Sequence, residues 1–393
     1  MIEHLETERV GEVMAGTMNN SESRQRLRDL GVTIGHIPPG PHNAITDVKG
    51  VRVGHTTLIS GEGPLLVGDG PVRTGVTVIV PHEGDIGAEP LFAGSHVLNG
   101  NGEMTGLLWV KESGMLTSPI AITNTHSVGV VRDALIAYEV QRTQRLELGW
   151  SLPVVAETYD GWLNDINGMH VKPEHVWAAL DAAAAGPVDE GCVGGGTGMI
   201  CHEFKGGIGT SSRVLPESNG GWTVGVLVQA NYGARHLLRI DGVPVGELIP
   251  CSEVPGFRGE RKRLERREPG DGSIIIVVAT DAPLLPHQCE RLAQRATIGL
   301  ARVGGIGANS SGDIFLAFAT GNRGLPGAEE KTAEIASCRM IANDRMTPLF
   351  EACAEATEEA ILNALCMATT TTGIDGRTMH ALPLDALREI CAS

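Results

Sequence analysis

Ser273 stands where a turn meets a buried strand. The sequence around it reads EPGDGSIIIVVATDAPLLP: a Gly-Asp-Gly turn, one hydroxyl, then a long apolar, β-branched run. A Ser hydroxyl is a weak nucleophile until a base takes its proton. A Ser that becomes an N-terminus carries such a base, its own α-amine. With a reference pKa of about 7.7–8.0, part of that amine is neutral at pH 7. The residue must first be freed: its hydroxyl attacks the preceding carbonyl, and water hydrolyses the resulting ester. Gly272 has no side chain to obstruct this attack and tolerates dihedrals that other residues avoid. The charged stretch GFRGERKRLERRE upstream would let the freed end withdraw, and the apolar strand downstream would hold the nucleophile still. A Ser that merely leads a turn into a strand fits the same residues, so pattern alone leaves both readings open.

Other nucleophiles and motifs are weaker. Cys251 and Ser252, in IPCSEVPGF, precede no apolar strand, and Pro250 constrains an acyl shift at Cys251. No G-x-S-x-G is present. The cluster GCVGGGTGM lacks the Lys-Ser/Thr of a Walker loop and only loosely echoes a dinucleotide fingerprint, without a clear strand–turn–helix unit. His202-Glu203 lacks the second His of a zincin helix. The eight cysteines show neither C-x-x-C nor zinc spacing, so free thiols in a reducing compartment are expected.

The elements that must position Ser273 are readable from punctuation and period. Residues 273–280 form a strand, 286–302 a helix opened by Pro286, and 313–320 a second strand. Further helices are predicted over about 328–371 and 383–392. Upstream, GVTVIVPH, TGLLWV, SPIAITNT, PVVAETYD and WTVGVLVQANYG read as strands. VGVVRDALIAYEVQR reads as a helix capped by Ser127, and KPEHVWAALDAAAAG as a helix stopped by Gly186. Val- and Ile-rich strands with helices outside fit a layered α/β architecture.

The 393 residues, 42% of them apolar, suffice for a large core. A net charge of −16 argues against a nucleic-acid partner. MIEHLETERV lacks a signal-peptide pattern, and no apolar run approaches the ~18 residues of a membrane span, so a soluble cytoplasmic protein is expected.

The junction DGSIIIVVATDAPL resembles the autocleavage site of the L-aminopeptidase/D-esterase-amidase family, which includes β-aminopeptidases and nylon-oligomer hydrolases. Seven further blocks match that family in order: NAITDVKGVRVGH, HEGDIGAEPLFAGSHVLNGNGEMTG, TNTHSVGVVRDA, AETYDGWLND, FKGGIGTSSRV, VGVLVQANYG and GIGANSSGDIFLAFATGN. They span residues 43–322, and the match is close to the founding L-aminopeptidase/D-amidase type. The resemblance implies a four-layer αββα sandwich like that of N-terminal-nucleophile hydrolases, with the family's own connectivity. It implies cleavage between Gly272 and Ser273 into an α chain (1–272) and a β chain (273–393) that stay together, with homo-assembly, expected as tetramers of αβ units.

The roles it implies fall position by position. Ser273 is the nucleophile and Asn231, at a strand end, the oxyanion donor. Tyr159 lines the site. Glu157, two residues earlier and read as lying on the same strand face, receives the substrate's ammonium. Ser311 and Asp313 hold and tune the nucleophile's amine, with Asp where β-aminopeptidase-like members carry Glu. Lys205 matches a Lys near the centre in nylon-oligomer hydrolases. Base, nucleophile and oxyanion donor all come from the protein, so no cofactor or metal is implied.

The function expected is aminopeptidase action on short peptides, amino-acid amides and esters. Alternatives are hydrolysis of β-peptides or 6-aminohexanoate oligomers on the same fold, or an uncleaved, non-catalytic ligand-binding or assembly protein.

Overall fold

Alternation along the strands decides the architecture. The computed structural model describes residues 23–142, 150–256, 272–326 and 335–392. In chain order the elements begin with β1 (Arg52–Ser60), β2 (Val72–Val80), β3 (Leu91–Gly100), α1 (Leu107–Ser113), β4 (Met115–Leu116) and β5 (Ile120–Asn124). There follow α2 (Val128–Arg142), β6 (Val154–Thr158), α3 (Pro173–Asp181), the hairpin β7 (Ile200–Cys201) and β8 (Phe204–Lys205), β9 (Gly207–Val214), β10 (Thr223–Asn231) and α4 (Val245–Leu248). The last part gives β11 (Ser273–Thr280), α5 (Pro286–Arg302), β12 (Gly312–Ala319), α6 (Thr347–Met367), the hairpin β13 (Thr371–Thr372) and β14 (Thr378–Met379), and α7 (Leu384–Ala392).

Among the described residues two large sheets form, ordered β1-β2-β5-β6 and β4-β3-β12-β11-β10-β9, beside the two short hairpins. Successive side chains of a strand point to opposite faces. In β11, Ile275, Val277 and Ala279 pack with Leu227, Leu316 and Phe318 against Ile79, Ile122 and Ala156 of the other sheet. Their neighbours Ile274, Ile276 and Val278 pack instead against Leu292 and Ala293 of α5 and Ala356 and Ala360 of α6. On the far side Val76, Val78, Ala121 and Val155 pack against α2 and α3. Strands apolar on both faces need helices on both outer surfaces, and the result is an αββα sandwich.

One ionic cluster is buried in the α6 side of this core. Arg213 of β9 reaches Glu355 at 3.0 Å and Glu359 at 2.8 Å, and Arg28 also meets Glu359 at 2.7 Å.

Three local expectations are corrected. TGLLWV is not a strand: Gly106 starts α1 with a left-handed φ of 75°, leaving Leu108 in solvent and Val110 in the core. A short apolar run has no period to separate strand from helix. The cap before α2 is Asn124, whose side chain accepts from the Ser127 N–H. Helix α3 ends at Asp181, ahead of Gly186, because Ala184 already pairs with Val53 of β1. The charged stretch of residues 257–271 and residues 328–334 of the helical span expected from 328 lie outside the described residues. A fourth correction falls just after them: residues 335–346 hold only a 3-10 turn at Asn343–Arg345, and α6 begins at Thr347, with Pro348 in its first turn.

Candidate active site

Ser273 is the first residue of β11, and the ladders on both sides fix its surroundings. It pairs with Asn231, the last residue of antiparallel β10, and with Gly312, the first residue of parallel β12. Three strand ends therefore meet at one point. The Gly312 N–H donates to Ser273 Oγ at 3.1 Å and lies 3.2 Å from the Gly272 carbonyl oxygen. One main-chain donor thus touches both a hydroxyl and the carbonyl that precedes it. Gly272 adopts φ 153°, and a Cβ there would lie 2.0 Å from the Asn231 carbonyl oxygen, so only Gly fits.

Asn231 is buried and its amide is oriented by two bonds. Its Oδ1 accepts from the Ile200 N–H at 2.8 Å, and its Nδ2 donates to the Tyr159 carbonyl at 3.0 Å. An amide nitrogen has two N–H groups, so a second remains on the residue that pairs with Ser273 across the ladder. Tyr159 follows the last residue of β6, and its side chain is 38% exposed at the rim. Strand β6 stops at Thr158, one residue short of Tyr159, so the alternation behind its expected sharing of a face with Glu157 is not carried by the strand.

Glu157 is buried. Its Oε1 accepts from the Glu103 N–H at 3.0 Å, and its Oε2 from the Thr125 hydroxyl. Burial raises its pKa, and those two donors pull the other way. The strap Asn99–Glu103 links this carboxylate to the strand ends at Ser273 and Gly312. A Cβ on Gly102 would stand 3.1 Å from Glu157 Oε1 and 3.3 Å from Gly312 Cα. Asn99 Nδ2 holds the loop between α5 and β12 by donating to the Ala308 carbonyl at 2.6 Å.

Ser311 and Asp313 flank Gly312. The Ser311 hydroxyl donates to Asp313 Oδ1 at 2.6 Å. Burial pushes the Asp313 carboxyl up to about 6, against the pull of the Ser311 hydroxyl and the Ile274 N–H. Asp313 alternates with Phe315 and Ala317, which pack toward α5 and α6. There it borders a small pocket with Tyr232, Leu237, Leu300 and Ile306. Ser273 and Asn231 alternate with residues that face the other sheet. The Ser311–Asp313 pair therefore reaches the main chain at Ser273 and Ile274 from the helix side.

Lys205 is fully buried, with Nζ donating to the carbonyls of Met199 at 2.8 Å, Gly206 at 2.8 Å and Gly196 at 3.3 Å. Burial lowers its pKa, and Cys192 nearby opposes that. Cys251 lies in the Pro250–Val254 turn, where its thiol donates to Glu203 at 3.6 Å. The residues missed by sequence reasoning are Gly312, Gly102, Glu103, Thr125 and Ile200. Most contribute only main-chain groups, and the spacing Asn-Gly-Asn-Gly-Glu was the one available signal.

A sandwich with a hydroxyl at the mouth of a central strand, an amide donor beside it and buried carboxylates around it belongs to the class of N-terminal-nucleophile hydrolases. Residues 43–379 match the model of peptidase family S58, and the chain belongs to that family. It is 51% identical over 383 residues to a β-peptidyl aminopeptidase of Sphingosinicella microcystinivorans, covering 97% of this chain and 94% of that one. Among solved structures it is similar to a β-aminopeptidase of a Burkholderia species (TM-score 0.83, 56% identity, 93% and 99% of the two chains). It is also similar to the L-aminopeptidase D-Ala-esterase/amidase of Ochrobactrum anthropi (TM-score 0.85, 43% identity, 93% and 98%). The latter is described as a prototype for the serine aminopeptidases and a variant of the Ntn hydrolase fold. The chain is a peptide-bond hydrolase, an aminopeptidase of this fold. Among the described residues no helix is long and apolar enough to cross a membrane.

Proposed function

We propose that this chain is a self-processing aminopeptidase whose nucleophile is Ser273. In processing, Ser273 Oγ adds to the Gly272 carbonyl and the Gly272–Ser273 C–N bond breaks. This leaves an ester and a freed amine, and water then hydrolyses the ester to a Gly272 carboxylate. In turnover the freed amine takes the hydroxyl proton as Oγ attacks the substrate carbonyl, and returns it to the leaving amine or alcohol. Water releases the acyl group. Asn231 Nδ2 donates to the oxyanion, an interaction whose loss costs roughly 10²–10³ in turnover. Glu157 receives the substrate ammonium, since a buried carboxylate strongly favours a paired cation.

The observation that carries this reading is the Gly312 N–H, within 3.1 Å of the attacking oxygen and 3.2 Å of the carbonyl oxygen it would polarise. The two pieces stay associated in this reading because β11 lies between β10 of one and β12 of its own. Cytoplasmic location and homo-tetramers of αβ units belong to the same proposal, the latter checked by light scattering.

A second reading, hydrolysis of β-peptidyl substrates, is favoured by the 51% and 56% identities to β-aminopeptidases, against 43% to the L-aminopeptidase. A panel of α-, β- and 6-aminohexanoyl p-nitroanilides separates the two. For the shared mechanism, a denaturing gel and intact mass should show two pieces divided after Gly272, and Ser273→Ala should remain one inactive chain. An uncut 41.4 kDa chain together with an active Ser273→Ala variant would sink it.

A further inference from the structure

We infer that Lys205 is a positioning residue for Asn231, acting through the peptide unit between Met199 and Ile200. The inference rests on the oxyanion role proposed for Asn231. The Met199 carbonyl accepts from Lys205 Nζ at 2.8 Å, and the N–H of the same peptide unit, on Ile200, donates to Asn231 Oδ1 at 2.8 Å. A cation at the carbonyl end of a peptide polarises it and strengthens its N–H as a donor. An N–H held against Oδ1 also forbids the flipped amide. Flipping would set two donors against each other at Ile200 and two oxygens against each other at Tyr159.

The ammonium is suited to this task. It has three N–H groups and no acceptor, and three carbonyls meet it, from Gly196, Met199 and Gly206, with the Cys192 sulfur as a further neighbour. A neutral amine would turn its lone pair on one of them. None of these contacts is to Ser273, so the side chain acts on the reaction through Asn231.

A Lys that only held the Gly-rich turn would lower stability without coupling to Asn231, and a double-mutant cycle separates the two. Rates are measured per cleaved molecule on an aminoacyl p-nitroanilide. Lys205→Met is expected to lower kcat by roughly 10-fold with KM within about 2-fold. Added to Asn231→Ala, it should lower kcat by less than about 2-fold more. An amino-aldehyde that mimics the tetrahedral adduct should lose affinity in parallel with kcat, while inhibition by the product amino acid stays constant.

Effects of the two substitutions that multiply, or equal losses for aldehyde and product, would overturn the relay. If Lys205→Met does not fold, Lys205→Gln, which keeps a donor and removes the charge, takes its place in the same cycle under the same criteria. An active Ser273→Ala variant would instead refute the functional reading itself.

Discussion

Under the proposed self-processing, replacing Gly272 by Ala is expected to stop the cut while leaving the chain folded. A Cβ at this position would lie 2.0 Å from the Asn231 carbonyl oxygen and 2.8 Å from Tyr232 Cα. Cβ contacts below 3.0 Å are essentially never seen, so the backbone must give by about 1 Å. The colliding atoms belong to the main chain at the end of β10, which is laddered to β9 and β11 and cannot yield alone. Movement therefore falls on the Gly272 carbonyl, which loses its 3.2 Å contact with the Gly312 N–H and its alignment with Ser273 Oγ. A 1 Å misplacement of reacting atoms costs roughly 10²-fold. The φ of 153° adds strain of about 1–3 kcal/mol for a non-Gly residue. Strain alone would favour cleavage, since cutting relieves it, so the two effects oppose one another. Displacement wins because a carbonyl out of line with its nucleophile cannot use the strain. A time course on denaturing gels after synthesis, with circular dichroism to confirm folding, should show Gly272→Ala uncut when the parent chain is fully cut. Cleavage of a folded Ala variant at the parent rate or faster would refute the reasoning.

Glu157→Gln is expected to raise KM for free-amine substrates by roughly 10–100-fold, the worth of a charged hydrogen bond, and to leave N-acetylated forms unchanged. Because burial raises the Glu157 pKa, KM of the parent enzyme should also climb as pH falls through that value, and the Gln variant should lack this limb. Equal parent rates on acetylated and free substrates would contradict the role. Asp313 has a folded pKa of about 6, above its unfolded value. The stability it contributes is therefore full below about pH 4 and lost as pH rises through about 6. Melting curves of Asp313→Asn should be flatter than those of the parent over that window, and identical slopes would count against the shift. Arg213→Met leaves Glu355 and Glu359 buried without their shared cation and should cost about 3–5 kcal/mol in urea unfolding.

The parts of the fold that were legible are those where several signals coincide. The strand at Ser273–Thr280 and the helix at Pro286–Arg302 have the bounds read from sequence. In the first a turn abuts an unbroken β-branched run, and in the second a Pro opens an amphipathic period. TGLLWV had only apolarity to offer, and an αL glycine decided the matter instead. Ser127 was a plausible cap by residue type, yet Asn124 three positions earlier has the longer acceptor arm and closes the turn. The side chains named for the site could be picked by type once the blocks around them were matched, and Ser273, Asn231, Ser311 and Asp313 lie at or beside the three strand ends that meet.

What joins those side chains left no mark in residue type, because it is main chain. The donor shared by Ser273 Oγ and the Gly272 carbonyl is an N–H, and so is the one that orients Asn231. Short of proline, no substitution deletes such a donor, so only register can hold it or lose it. Between β11 and β12 a slip of one residue would set Ser311 or Asp313 opposite Ser273 and turn the hydroxyl toward α5 and α6. The seven residues from Ile274 to Thr280 are paired on both sides and buried on both faces. A slip would bury none of them correctly. The apolar run after Ser273 thus acts as the ruler that keeps one hydroxyl against one N–H, and its length is explained by that task as much as by stability.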